Sequence, residues 1–202
     1  LDLSAIVSFQ MHNPPLLSII IPTLNEEEFI GNLIRFIKKQ VQSDKIEILV
    51  CDGGSKDDTC KLVQAEQVTL LISNIGRRSV QMNYAASHAK AALLYFLHAD
   101  AIPPSDFIQL ILRFHETNNC LYCFPFRFNS DRHILRLNEY VTHTTGIWTG
   151  GGDQSLLIQK SIFQSLGGFN SELLIMEDYD LIKRARKNGY KLKLADRALR
   201  VS

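Results

Sequence analysis

Short apolar runs alternate with stretches of helical periodicity through the first 118 residues of the chain. Leu17 to Ile21 is a largely apolar run stopped by Pro22, after which Phe29, Ile30, Leu33, Ile34 and Ile37 recur at the spacing of one helix face. Three acids, Glu26, Glu27 and Glu28, are expected to open that helix, and Lys38 and Lys39 to close it, in keeping with its dipole. Ile46 to Cys51 then reads as a strand, Thr59 to Ala65 as a short helix, Val68 to Ser73 as a strand and Gln81 to Ala89 as a helix. Ala92 to Leu97 is a buried strand, and Ser105 is the expected N-cap of a helix to Asn118. Repeated βα units with apolar strands demand a mainly parallel sheet covered on both faces, a Rossmann-like doubly wound α/β fold.

Beyond residue 118 the pattern is less regular. Cys120 to Phe128 is strand-like, Ile134 to Thr144 helical, and Gly146 to Gly152 rich in glycine. Next come a short strand from Ser155 to Ile158, a helix ending at Gly167 and Gly168, and a last helix from Asp178 to Asn188 with Gly189 just past its end. At 202 residues a single domain is expected, with residues 1–15 as an N-terminal extension. Met11 is a candidate native start, and the chain stops soon after a strand-like segment, so a further C-terminal tail is expected.

Lys and Arg number 22 and Asp and Glu 21, so the net charge of +1 provides no general field for nucleic acid. The longest unbroken apolar run, Ala91 to Leu97, is far short of the roughly 20 residues that span a bilayer. The start of the chain lacks the basic region of a signal peptide. Of the four cysteines only Cys120 and Cys123 have C-x-x-C spacing, and they sit in an apolar run; core thiols in a reducing cytoplasm are expected. Late in the chain Lys183, Arg184, Arg186, Lys187, Lys191, Lys193, Arg197 and Arg200 face only Asp196 in opposition, which reads as a solvated basic face or as a surface for a lipid-linked or anionic acceptor, with peripheral membrane contact.

In open α/β sheets ligands sit beyond the carboxyl ends of the strands. The first strand ends in Pro22-Thr23-Leu24-Asn25-Glu26-Glu27-Glu28, without G-x-G-x-x-G, and its three acids disfavour a bare pyrophosphate of NAD or FAD. The second ends in Asp52-Gly53-Gly54-Ser55, where Asp52 suits either a base or ribose contact or a cap of the next helix; Asp57, Asp58 and Thr59 read as caps. The fourth ends in His98-Ala99-Asp100. If the segment is extended, residues two apart present an imidazole and a carboxylate to one cation; otherwise Asp100 is a turn carboxylate. Glu177 and Asp178 follow apolar Leu173 to Met176, where burial favours a general base, while the helix dipole alone accounts for one or two N-terminal acids.

Taken in order, Ser18 to Glu26, Asp52-Gly53-Gly54-Ser55-x-Asp57-x-Thr59, His98-Ala99-Asp100 and Glu177-Asp178 resemble the family 2 glycosyltransferases with the A-type nucleotide-sugar fold, over about residues 16 to 190. Gly76-Arg77, Gln81-Met82-Asn83, Gly152-Asp153-Gln154 and Ile175-Met176-Glu177-Asp178 also resemble the bacterial branch of radical-SAM/selenodomain-associated glycosyltransferases. The resemblance implies a donor site in which Pro22, Asn25 or Glu26, and Asp52 contact the nucleoside, with Arg77, Gln81 and Asn83 beside it and Gly151, Gly152 and Asp153 approaching donor or acceptor. It implies a divalent cation, Mn²⁺ or Mg²⁺, on Asp100 and His98, the histidine replacing the first aspartate of the family's D-x-D. It also implies an inverting transfer with Asp178 as base and Glu177 as its rival, from a nucleotide-diphosphate sugar to an acceptor hydroxyl. Residues 16–118 would bind the nucleotide sugar, and 119–202 the acceptor. The Q-x-x-R-W motif of processive synthases is absent, which favours transfer of a single sugar. A non-catalytic nucleotide-binding module and a sugar nucleotidyltransferase are the alternatives; the latter usually carries a glycine-rich basic loop where this chain has Pro22 to Glu28.

Overall fold

A computed structural model describes residues 14–41, 45–114, 120–128 and 155–201. The helix expected from Ile134 to Thr144, the glycine-rich Gly146 to Gly152, Asp153, and nearly all of the N-terminal extension lie outside these residues.

The first strand, β1 (Leu17–Thr23), is the centre of a parallel unit with β2 (Ile46–Asp52), β3 (Thr69–Ile72) and β4 (Leu93–Phe96). Helices α1 (Ile30–Gln40), α2 (Thr59–Ala65) and α3 (Arg78–His88) connect them. The remaining elements are β5 (Ala101–Ile102), α4 (Phe107–Phe114), β6 (Cys120–Phe124), β7 (Phe126–Phe128), β8 (Ser155–Gln159), α5 (Lys160–Ser165), α6 (Glu177–Lys187), β9 (Lys191–Leu194) and β10 (Leu199–Val201). A seven-stranded sheet runs β3-β2-β1-β4-β8-β6-β9, with β8 antiparallel to both neighbours, and β5-β10-β7 form a small second sheet. The mainly parallel, doubly wound α/β reading therefore holds.

Alternation along the strands sends successive side chains to opposite faces. Ile19, Ile21, Val50 and Tyr95 pack with Leu33, Ile34 and Ile37 of α1 and with Phe107 and Ile111 of α4. Ile20, Leu49, Leu94 and Phe96 pack on the other face with Met82 and Ala85 of α3, Phe163 of α5 and Leu181 of α6. Burying each large aliphatic chain is worth about 1.5–3 kcal/mol, so these two layers fix the sheet between its helices.

Several boundaries differ from the sequence reading, each for a local reason. Helix α1 begins at Ile30, and the three glutamates lie in the turn before it. Phe29 N–H and Ile30 N–H both donate to Glu26 O in that turn, and the N–H groups of Glu26 and Glu27, which no helix carbonyl could accept, donate to Thr59 Oγ1 (2.8 Å) and Asp57 Oδ2 (3.1 Å). Ser105 is not a cap: α4 begins at Phe107, whose N–H donates to Pro104 O, so Ser105 belongs to the preceding turn. The single strand expected from Cys120 to Phe128 is broken at Pro125, which has no N–H to continue the ladder, and the chain passes from the large sheet to the small one. Helix α6 closes as foreseen, with Gly189 at φ 83° and Schellman bonds from Tyr190 N–H to Ala185 O and Gly189 N–H to Arg186 O.

All four cysteines are free. Cys120 and Cys123, three apart on one strand, face opposite sides of the sheet: Cys123 packs in the layer of α3, α5 and α6, and Cys120 against that of α1 and α4. Among the described residues no helix is long and apolar enough to cross a membrane.

Candidate active site

The sheet order reverses between β1 and β4, and a cleft of about 560 Å³ opens at their carboxyl ends. Pro22 and Thr23 come from the end of β1, His98 and Asp100 from the turn after β4, Arg77 and Arg78 from the start of α3, and Glu177 and Asp178 from the start of α6. Glu26 and Gln81 complete its polar wall. Chain segments as far apart as Pro22 and Asp178 thus meet where the fold itself makes a crevice.

The floor of the cleft is braced from behind. Gln81 donates from Nε2 to Thr23 O (2.6 Å) and to Cys51 O (2.7 Å), tying the ends of β1 and β2 together. Gly53 and Gly76 approach so closely that a Cβ on Gly53 would lie 2.8 Å from Gly76 Cα. Asp52 is 1% exposed and spends both carboxylate oxygens on its own chain. It accepts from Thr23 Oγ1 (3.1 Å), the Gly54 and Ser55 N–H groups (both 2.8 Å) and Ser55 Oγ (2.5 Å). Burial alone would raise its pKa, but these hydrogen bonds outweigh it and hold the carboxyl below its usual 3.8.

Three other residues singled out in the sequence also serve the frame. Asn25, at φ 56°, accepts from Lys56 N–H (2.8 Å) and donates its own N–H to Ser55 Oγ (2.7 Å). Asn83 accepts from Phe169 N–H and donates to Phe169 O (2.8 Å) and Ser171 Oγ (3.2 Å). Arg77 reaches the same loop, donating to Ser171 O at 2.8 Å, while lining the cleft. Asn25, Asp52 and Asn83 therefore stand behind the cleft wall rather than in it. Gly151, Gly152 and Asp153 lie outside the described residues.

The charged groups are unevenly matched: four carboxylates, Glu26, Asp100, Glu177 and Asp178, share the cleft with two guanidiniums, Arg77 and Arg78. Burial and the Asp100 charge raise the Glu26 pKa, with Arg78 opposing. Burial, reinforced by Arg78, drives the His98 pKa down to about 3, so its imidazole is neutral with a lone pair available. Ala101 N–H donates to His98 O at 3.2 Å, so the chain turns at His98 instead of running extended, and the expected two-residue alternation does not apply. His98 and Asp100 nevertheless line the same cleft. Among the described residues no three His, Cys, Asp or Glu side chains cluster as a metal site. A carboxylate and a neutral imidazole in an acidic cleft still fit a divalent cation that takes its remaining ligands from a diphosphate and water.

Glu177 and Asp178, each 4% exposed, open α6 after Met176, which adopts the left-handed conformation at φ 66°. The pair is buried as expected, although Leu174 and Ile175 before it are themselves 77% and 75% exposed, at the cleft's edge. Arg78 is the charged residue of the cleft that the sequence reading missed. The signal was present in the Arg77-Arg78 pair at the start of a helix, where only the first was chosen.

The chain is thus a Rossmann-like α/β protein with a polar, acidic crevice at its switch point, where such folds take their ligands. The sequence model of glycosyl transferase family 2 matches residues 18–169, and the chain belongs to that family. It is 25% identical over 199 residues to the PGL/p-HBAD biosynthesis glycosyltransferase of Mycobacterium bovis (strain BCG / Pasteur 1173P2), covering 86% of this chain and 71% of that one. Glycosyltransferase AglE of Haloferax volcanii is 24% identical over 196 residues, covering 90% of this chain and 64% of its own. Among solved structures, S. aureus TarS in complex with UDP-GlcNAc superposes with a TM-score of 0.75 at 19% identity, covering 92% of this chain and 58% of that one. The mannosyltransferase PcManGT from Pyrobaculum calidifontis in complex with GDP-Man and Mn²⁺ superposes with a TM-score of 0.73 at 20% identity, covering 94% and 57%. These two likenesses establish the A-type fold, and the chain spans under three-fifths of either structure's length.

Proposed function

We propose that this protein transfers a sugar from a nucleotide-diphosphate sugar to an acceptor hydroxyl with inversion at the anomeric carbon. The observation that carries the reading is the meeting of Asp100, the Arg77–Arg78 pair and the Glu177–Asp178 pair in one cleft at the β1/β4 switch point. The division of labour follows the chain: residues 16–118 supply the donor side, and 119–202 the acceptor side and base.

The donor's nucleoside lies against Pro22 and the loop that Asp52 and Asn25 hold, with Glu26 at the cleft wall. Arg77 and Arg78 face the diphosphate. Asp100 and His98 would hold a divalent cation, which when bound offsets the negative charge of the diphosphate leaving group. Asp178 takes the proton from the acceptor hydroxyl as its oxygen attacks the anomeric carbon, and the bond to the nucleoside diphosphate breaks on the opposite face. A positioned base of this kind is worth about 10²–10⁴ in rate. Glu177, adjoining Arg78, is placed to orient a hydroxyl of either substrate.

A thermal-shift panel of UDP, GDP, CDP, dTDP and their sugars, with and without Mn²⁺, tests the donor assignment. One nucleotide series should raise Tm, and more strongly with Mn²⁺; a flat response across the panel would overturn it.

A further inference from the structure

We propose that the lip formed by Leu174, Ile175 and Met176 seats an apolar portion of the acceptor, so that an alkyl or aryl group adjoins the hydroxyl to be glycosylated. The inference rests on the donor and base assignments above and adds the chemical class of the second substrate.

Three consecutive large apolar side chains stand 77%, 75% and 45% exposed, and all three line the cleft immediately before Glu177 and Asp178. Single exposed apolar residues are ordinary, but a contiguous group at the mouth of a polar site marks a binding surface. The segment is not a frayed end, because its approach is held from three directions. Arg77 donates to Ser171 O, Asn83 brackets Phe169 and Ser171, and Arg184 donates to Gly168 O (2.7 Å) and Leu166 O. The left-handed backbone of Met176 is a conformation that a long unbranched residue rarely adopts, and it lies at the junction between this lip and the two acids.

The donor does not account for these three residues. A nucleotide sugar offers hydroxyls, a dianionic diphosphate, which the arginine wall matches, and a base, which the reading above seats at Pro22 and the loop of Asp52; nothing along its sugar–diphosphate axis pairs with adjoining aliphatic chains. The molecule that must approach Asp178 is the acceptor, and the lip is the wall beside that approach. An acceptor with an apolar body next to its hydroxyl removes this surface from water while its hydroxyl remains at the carboxylate.

Methyl β-D-glucopyranoside and octyl β-D-glucopyranoside, the latter below its micelle concentration, are titrated into the protein by saturation-transfer NMR, with and without the nucleoside diphosphate that gives the largest thermal shift. The octyl glycoside should bind at least about tenfold more tightly than the methyl one, and Leu174→Ser/Ile175→Ser should erase that advantage with little change in Tm. Equal binding of the two glycosides, or an octyl preference that survives the double substitution, overturns the proposal. A fall of many degrees in Tm overturns it too, since the lip would then be packing against the chain itself. Nucleotide binding is read separately: its absence with the octyl preference intact counts against the donor assignment and leaves the apolar seat standing.

Discussion

Arg78 Nε lies 4.0 Å from Glu177 Oε1, an ion pair beyond hydrogen-bond reach, and that carboxylate oxygen is buried without a hydrogen-bond partner among the described residues. A buried acceptor facing a half-exposed guanidinium leaves both groups able to take up a substrate between them. Arg78→Ala should therefore weaken nucleoside diphosphate binding about 10- to 100-fold, the worth of one charge-assisted hydrogen bond, with Arg78→Lys recovering part of it. Isothermal calorimetry decides this; an unchanged Kd in the alanine variant would remove Arg78 from the donor site.

The acidic balance of the cleft makes a second expectation. Nucleoside diphosphate should bind more tightly with Mn²⁺ than with EDTA, and Asp100→Asn should abolish the difference, because on the proposed reading its carboxylate would be the oxygen ligand at the end of β4. As a second ligand, the neutral imidazole of His98 should favour Mn²⁺ over Mg²⁺. Equal affinities with and without metal in the native protein would contradict the first part, and higher activity in saturating Mg²⁺ than in saturating Mn²⁺ the second.

Asp52 predicts a pH-dependent stability. Its folded pKa is depressed below 3.8 by the hydrogen bonds that outweigh its burial, so its contribution is present in full above the unfolded value and is lost as pH falls through the folded one. Asp52→Asn should cost about 1–3 kcal/mol at pH 7, because donors that met a carboxylate lose it. The gap from the native protein should narrow below about pH 4. Urea unfolding at pH 7 and pH 3 measures both; a gap that is constant or wider at pH 3 would exclude this role.

Gly53→Ala should lower stability by about 1–3 kcal/mol, since the new methyl would stand 2.8 Å from Gly76 Cα and 3.0 Å from Gln81 Nε2. Gly54, with nothing within 4 Å of an added Cβ but φ at 97°, isolates the backbone cost of a substitution from crowding. Comparing Tm for the two alanine variants separates the effects, and a fully tolerated Gly53→Ala would deny the close packing of these loops.

The core of the fold was legible in the sequence because its period was unambiguous. Ile30, Leu33, Ile34 and Ile37 are spaced for one helix face, and all four are buried. Boundaries were harder: Glu26 and Glu27 lie in a turn whose own N–H groups are met by Thr59 and Asp57 of another loop. Local spacing cannot show a partner some thirty residues away. The same reason separates Asp52 and Asn83 from the cleft wall: residue type made them ligand candidates, but only the folded chain reveals that Ser55 and Phe169 already hold them. The exposed lip needed the opposite information, namely which segments of the chain converge on the cleft.

The most direct test of the catalytic assignment is the turnover of Asp178→Asn measured beside Glu177→Gln, with the donor and acceptor that the binding experiments select. The asparagine keeps the shape of the side chain and removes the proton acceptor, so kcat should fall about 10²- to 10⁴-fold while donor affinity changes little. Native kcat in Asp178→Asn would contradict the assignment: with turnover lost in Glu177→Gln the base is Glu177, and with neither variant slowed the pair serves only the start of α6.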